Sequence, residues 1–231
     1  VDAVKEGRGI YANIKKVVGY LLGTNIGEVI TVFLAMILWK QAPLLSMQLL
    51  WINLVTDSLP ALALAFDPAN RDIMNRKPIK KDEGIFTKGR TFRIIYQGVM
   101  IGLLTLAGFI IGLATTHEPI DGLTLEQSKV EVGQTMAFMV LAFSELVHVF
   151  SIRDNKNSVF KTGILGNKTL ILAVLASALL MGVILVVPAL RHVFSIPVLP
   201  MGNLLEVLGL VIAPLVIVEI MKLAKVNTAK D

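Results

Sequence analysis

Apolar residues run almost unbroken for about 20 positions at six places in the chain, the length a helix needs to cross a bilayer. The runs cover 17–39, 49–66, 94–114, 132–152, 170–190 and 204–223. They are too long for strands and lack the two-residue alternation of a membrane barrel. Polar connections separate them: 40–46 with Pro43, 67–90 with Pro68, Pro78 and Gly84, 115–131, 155–167, and 192–203 with Pro197 and Pro200. Residues 1–16 are charged, helix-prone and free of breakers, so they should extend the first span as a stalk. Pro188 and Pro214 fall inside the last two runs and predict kinks. The pattern predicts an all-α polytopic membrane protein, with six transmembrane helices in one bundle. It divides into a stalk helix at 1–16 and a transmembrane ion-transport domain at 17–231. No internal repeat or low-complexity tract is visible.

Charge then orients the bundle. With both termini on one side, that side holds all of the 22 basic residues except Lys40, Lys129 and Arg191. The dense run from Arg71 to Arg93, the connection from Arg153 to Lys168 and the tail from Lys222 to Lys230 all lie there. Under the positive-inside rule this predicts cytoplasmic termini, with 115–131 and 192–203 outside. The net charge of +5 therefore reflects topology. Nucleic acid is not an expected partner, because the basic residues flank spans and no aromatic stacking pattern accompanies them.

Composition adds exclusions. Hydrophobic residues make up 55% of the chain, and its 231 residues include no cysteine, which excludes disulfides and thiolate metal sites. The chain starts without an initiator Met or a signal peptide, as if cut from a longer protein.

The informative residues are polar ones at membrane depth, where a charge costs about 2.5–3.5 kcal/mol or more. In the first span, Asn25 and Glu28 are three apart and should share a face. Gly19, Gly23 and Gly27 form a ladder on nearly the opposite face, suited to close helix packing. In the second span, Asn53, Thr56 and Asp57 line one face at i, i+3, i+4. Pro60 clashes with the carbonyl of Thr56, so the helix should loosen there and free backbone carbonyls beside three side-chain oxygens. An amide, a hydroxyl, a carboxylate and free carbonyls form a hard-oxygen set suited to Ca²⁺. In the fourth span, Glu145 lies about 10 Å from the cytoplasmic end, and His148 is three residues further on. The plainer alternatives are interhelical hydrogen bonds for Asn25 and Glu28, a proline kink at Pro60, and a Glu145–His148 pair that stabilises the bundle. Glu206 and Glu219, near the ends of the last span, fit structural roles.

The segments "EGRGIYANIKKVVGYLLGTNIGEVI" and "LLWINLVTDSLPALAL" resemble the fifth and sixth transmembrane helices of P-type cation-transporting ATPases. The similarity is closest to the sarco/endoplasmic-reticulum type of calcium pump and its bacterial relatives. "DPANRDIMNRKP" and "TMAFMVLAFSELVHVFSIRDN" resemble the next cytoplasmic loop and the eighth helix, so the chain matches the fifth to tenth helices. The resemblance implies that Asn25, Glu28, Asn53, Thr56, Asp57 and Glu145 are metal ligands, with Asp57 bridging two ions. Gly27, where sodium/potassium and proton/potassium pumps usually have proline, favours calcium, as does "NLVTD". Departures are Ser58 and Ala65 in place of glycines, and Asn70 and Asn75 in place of acids beside the retained Asp72.

The resemblance further implies an ATP-driven pump that exports Ca²⁺ from the cytoplasm across a prokaryotic plasma membrane. The "DKTG", "TGE" and "GDGVNDAP" motifs are absent. ATP and Mg²⁺ would then belong to missing cytoplasmic domains, and this stretch alone should not hydrolyse ATP. The expected partners are the lipid bilayer and the rest of the same pump: its fourth helix and its phosphorylation domain. Crowded carboxylates left after ion release should take up protons, so proton counter-transport is expected, with His148 a candidate for the proton path. The alternatives are a pump for another divalent ion such as Mn²⁺ and, from a different class, a secondary transporter or a membrane scaffold.

Overall fold

In the computed structural model, each apolar run becomes helix and the helices begin or end beyond the runs. The structure describes residues 2–68, 73–75, 84–120, 122–153, 158–159 and 166–224. Helix α1 spans Asp2–Leu38. The second run is divided into α2 (Ser46–Trp51), a π-helical segment (Ile52–Asp57) and α3 (Ser58–Ala65). Then follow α4 (Lys88–Thr115), α5 (Leu125–Ile152), α6 (Lys168–Val186), the short α7 (Pro188–Val193) and α8 (Met201–Leu223). No strand occurs among the described residues. Asn70, Asp72, residues 76–83 of the basic run, most of 155–167 and the basic tail beyond Ala224 lie outside them.

Helix starts are written locally. Thr87 accepts from the Arg90 amide, Asn167 from the Leu170 amide, and Thr124 with Gln127 closes a reciprocal capping box. That box starts α5 at Leu125, so the connection between α4 and α5 is shorter than the apolar run suggested. The run 170–190 is not one kinked helix. Val187 is extended, and Pro188 opens α7 at a first-turn position, where its missing N–H removes no helical bond. Pro214, by contrast, stays within a continuous α8.

Among the described residues six helical spans are long and apolar enough to cross a membrane, counting α2 through α3 as one. At 1.5 Å per residue the 37 residues of α1 reach about 55 Å, well beyond a hydrocarbon core of about 30 Å. Helix α5 is central. Every residue from Val132 to Ile152 is buried except Phe143, Val147 and Phe150. It packs chiefly on α4 and α8, α4 packs on α1, and α1 and α6 pack on α3. Leu172, Leu179, Val186, Leu205 and Leu223 point outward as large exposed apolar side chains, as helices facing lipid do.

Glycines decide how closely α1, α4 and α5 approach. A Cβ on Gly98 would lie 2.7 Å from the Gly23 carbonyl oxygen, and one on Gly102 would lie 2.8 Å from that of Gly27. A Cβ on Gly112 would lie 2.6 Å from the Gly133 Cα. The Gly23–Gly27 part of the predicted ladder thus meets a second pair of glycines on α4, the small-residue contact by which membrane helices gain dispersion energy. Gly19 meets only the Ile94 side chain, at 3.9 Å.

Candidate cation site

Helix α1 presents one polar stripe to the broken second span. Asn13, Lys16, Tyr20, Thr24 and Glu28 recur every three or four residues, so they stack on one face. Three of them reach the π-helical segment. The Tyr20 hydroxyl donates to Asp57 Oδ1 at 3.3 Å and Thr24 Oγ1 donates to Asp57 Oδ2 at 2.8 Å. Asn53 Nδ2 donates to both Glu28 carboxylate oxygens, at 2.9 and 3.1 Å. Tyr20 and Thr24 escape a search for carboxylates and amides. The four-residue spacing from Lys16 to Glu28 is the signal that could have found them.

The π-helical segment corrects the expectation at Pro60. The second span is widened rather than unwound, and α3 resumes at Ser58 with Pro60 inside it. A π turn leaves carbonyls out of α-helical register, and hydroxyls approach three of them, that of Tyr20 sharing its one proton with Asp57. Ser58 Oγ donates to the Asn53 carbonyl at 2.7 Å, Ser177 Oγ to that of Val55 at 3.1 Å, and Tyr20 to that of Thr56 at 3.4 Å. The Thr56 hydroxyl itself donates to the Ile52 carbonyl at 2.9 Å.

Asn25 corrects a second expectation. It is exposed and donates to the Leu21 carbonyl at 2.6 Å, away from Glu28. Residues three apart on a helix differ by about 60° in direction. Glu28 falls on the flank that meets Asn53, whereas Asn25 falls in line with Leu22, Val29 and Phe33, all exposed. The sequence could not tell which side of that 60° the neighbouring helices would cover.

Glu145 enters from α5, is wholly buried, and has its carboxyl group beside that of Asp57. It interacts electrostatically with Asp57 and Glu28, so three carboxylates from three spans bear on one another. They do not converge into a closed cage: among the described residues no three His, Cys, Asp or Glu side chains are close enough together to hold a metal. His148 lies one turn from Glu145 toward Arg153, is buried, and has no partner at either ring nitrogen. Glu219 fits its structural assignment, accepting from Lys222 Nζ at 2.9 Å and from the Val159 amide at 3.3 Å.

A family model described as "Cation transporting ATPase, C-terminus" matches residues 41–224. The chain is 44% identical over 232 residues to "Calcium-transporting ATPase 1" of Bacillus cereus, which covers 98% of the chain and 26% of that protein. It is 39% identical to the "Calcium-transporting ATPase" of Bacillus subtilis, over 92% of the chain and 23% of that protein. It is 31% identical to the "Endoplasmic reticulum calcium ATPase srcA" of Aspergillus fumigatus, over 96% of the chain and 25% of that protein. The chain thus spans about a quarter of the length of these curated relatives.

Proposed function

The chain belongs to the family of cation-transporting ATPase C-terminal regions, and from that premise we propose that it is the membrane half of an ATP-driven calcium pump. The observation that carries this is the set of three mutually interacting carboxylates, Glu28, Asp57 and Glu145, held at membrane depth on three helices. Acidic side chains there are costly unless a cation offsets them. Carboxylate, amide, hydroxyl and carbonyl oxygens together match the ligand preference of Ca²⁺.

In this proposal Asp57 is the central ligand, Glu28 and Asn53 act as a pair, and Thr56 and Glu145 complete the set. The hydrogen bonds now on the carboxylates say what binding must exchange. Asn53 covers both Glu28 oxygens with its amide N–H group. Rotating that amide would release Glu28 and turn the Asn53 carbonyl oxygen toward the same space. Thr24 and Tyr20 hold Asp57 from the α1 side, so they orient it without blocking access from α5. Asn25, exposed beside Leu22 and Val29, would serve a further helix of the same pump laid against that face. An uncovered amide at membrane depth is unfavourable against lipid.

The three acids would offset three of the four positive charges on two Ca²⁺, and an acid on the fourth helix of the pump would supply the remaining charge. Once ions depart, like charges would face one another at low dielectric, and protons are the natural replacement. Proton counter-transport, with His148 beside Glu145 as a relay, is therefore part of the proposal. So are the cytoplasmic termini, the plasma-membrane location, the stalk role of residues 1–16, and the use of ATP and Mg²⁺ by domains outside this chain.

The test uses the full-length protein reconstituted in vesicles, with ATP on the side of the termini. Accumulation of radioactive calcium that needs ATP is the expected result. Calcium-independent hydrolysis, or accumulation of Mn²⁺ but not Ca²⁺, would overturn the calcium assignment.

A further inference from the structure

Asp67, just beyond α3, is a buried carboxylate held by side chains from three other spans, and it takes no part in the candidate cation site. It is buried, with 6% of its surface exposed. Lys16 Nζ lies 2.6 Å from its Oδ2, while Arg153 Nε and Asn167 Nδ2 lie 3.1 and 2.9 Å from its Oδ1. Its backbone carbonyl accepts from Asn13 Nδ2 at 2.6 Å, and the same amide reaches the Ala65 carbonyl at 3.2 Å. The partners come from α1, from the end of α5 and from the residue that caps α6. Four helical spans therefore meet on one side chain.

The location gives this joint its meaning. Helix α3, eight residues or about 12 Å long, is fastened to α1 at both ends. At one end Tyr20 and Thr24 hold Asp57, and at the other Asn13 and Lys16 hold Asp67. All four belong to the same stripe of α1. A slip of one helical turn, about 5.4 Å, would break these bonds together. A buried carboxylate between two cations is also hard to leave unpaired, since a broken buried pair strands a charge.

We propose that Asp67 is a positioning residue that locks α3 to the stalk-bearing helix, so that axial movement of α1 reaches Asp57. This rests on the pump assignment. Arg153 and Asn167 tie the same carboxylate to α5 and α6, which makes Asp67 the point where movement of α1 is registered against the rest of the bundle.

The experiment uses the full-length protein in vesicles and compares wild type with Asp67→Asn, Lys16→Met and the double variant. Three quantities are read: calcium moved per ATP split, the calcium concentration for half-activation, and the melting temperature. Wild type serves as the control for the parent assignment. If it moves no calcium with ATP, the pump assignment fails and this proposal falls with it. If wild type pumps, each single variant should lower calcium moved per ATP about three- to tenfold, the scale on which residues remote from both ligands change coupling. Half-activation should stay within about twofold, because no site ligand is touched. The double variant should be no worse than the worse single one, because both remove one joint. A lowered melting temperature with full calcium transport per ATP would make Asp67 merely structural and overturn the proposal. Should Asp67→Asn fail to accumulate, Lys16→Met alone decides, since it leaves Arg153 and Asn167 on the carboxylate.

Discussion

Asp57→Asn is the sharpest probe of the proposed cation site, because it removes one charge and almost no volume. The structure indicates why folding should survive. Thr24 Oγ1 lies 3.1 Å from the Leu21 carbonyl as well as 2.8 Å from Asp57 Oδ2. Its proton can therefore turn to Leu21 while an asparagine amide donates to its oxygen. Tyr20 can still donate to the remaining Asn oxygen. The cost to ion binding has no such outlet. Taking one partner from a buried charge pair costs about 3–5 kcal/mol, and each 1.4 kcal/mol is about tenfold. Calcium affinity should therefore fall by about 100-fold or more. Glu145→Gln is the comparison. Glu145 has the Asp57 carboxyl as its neighbour, and a glutamine amide can donate to that carboxylate, so the variant should fold normally and weaken binding less than Asp57→Asn does. The assay is phosphoenzyme formation from ATP by the full-length protein, titrated with free calcium. Near-normal calcium dependence in Asp57→Asn, with normal melting, would refute the central role of Asp57 and weaken the whole ligand set.

Three further outcomes are expected. Thr24→Ala should raise the calcium needed for half-activation about tenfold, since a hydrogen bond to a charged group contributes about 1.5–3 kcal/mol. Tyr20→Phe, which loses the longer contact at 3.3 Å, should do less, and the reverse order would show that Tyr20 dominates the placement of Asp57. Gly98→Ala places a methyl 2.7 Å from the Gly23 carbonyl oxygen, whereas Gly182→Ala meets nothing within 4 Å. The first should cost about 1–3 kcal/mol of stability by overpacking and the second almost nothing, measured as melting of the purified protein in detergent. The chain contains no cysteine, so single cysteines can report topology. An impermeant reagent applied to intact cells should label position 124 and not position 75, and the opposite pattern would invert the orientation.

Much of the architecture was legible in one dimension because the bilayer restricts the choices. Backbone groups cannot go unpaired in hydrocarbon, so an apolar run of span length must be helix, and the six runs became six helical spans. Glycines four apart on the first span announced a close helix contact, and Gly23 and Gly27 make one. The proline in the second span signalled a disturbance, but its form was not readable. Proline only forbids one α-helical bond. The π turn is met by hydroxyls from Tyr20 and Ser177, which stand 36 and 122 residues away from their acceptors and so could not be read locally.

The same distinction separates the acids. That they were candidates for chemistry was evident from their place within long apolar runs, because a charge there is seldom idle. Their partners were not, since each lies on another helix and depends on how α1 is rotated. That rotation set Glu28 against Asn53 and left Asn25 outside, although only three residues separate them. It also brought Thr24 and Tyr20 to Asp57, and Lys16 and Asn13 to Asp67. The helical spans and the presence of charge within them were thus determined by the sequence alone, through hydrophobicity and backbone pairing. Which oxygen meets which donor was decided only by tertiary packing, because a helix fixes the angle between its own side chains but not the direction in which its neighbours lie.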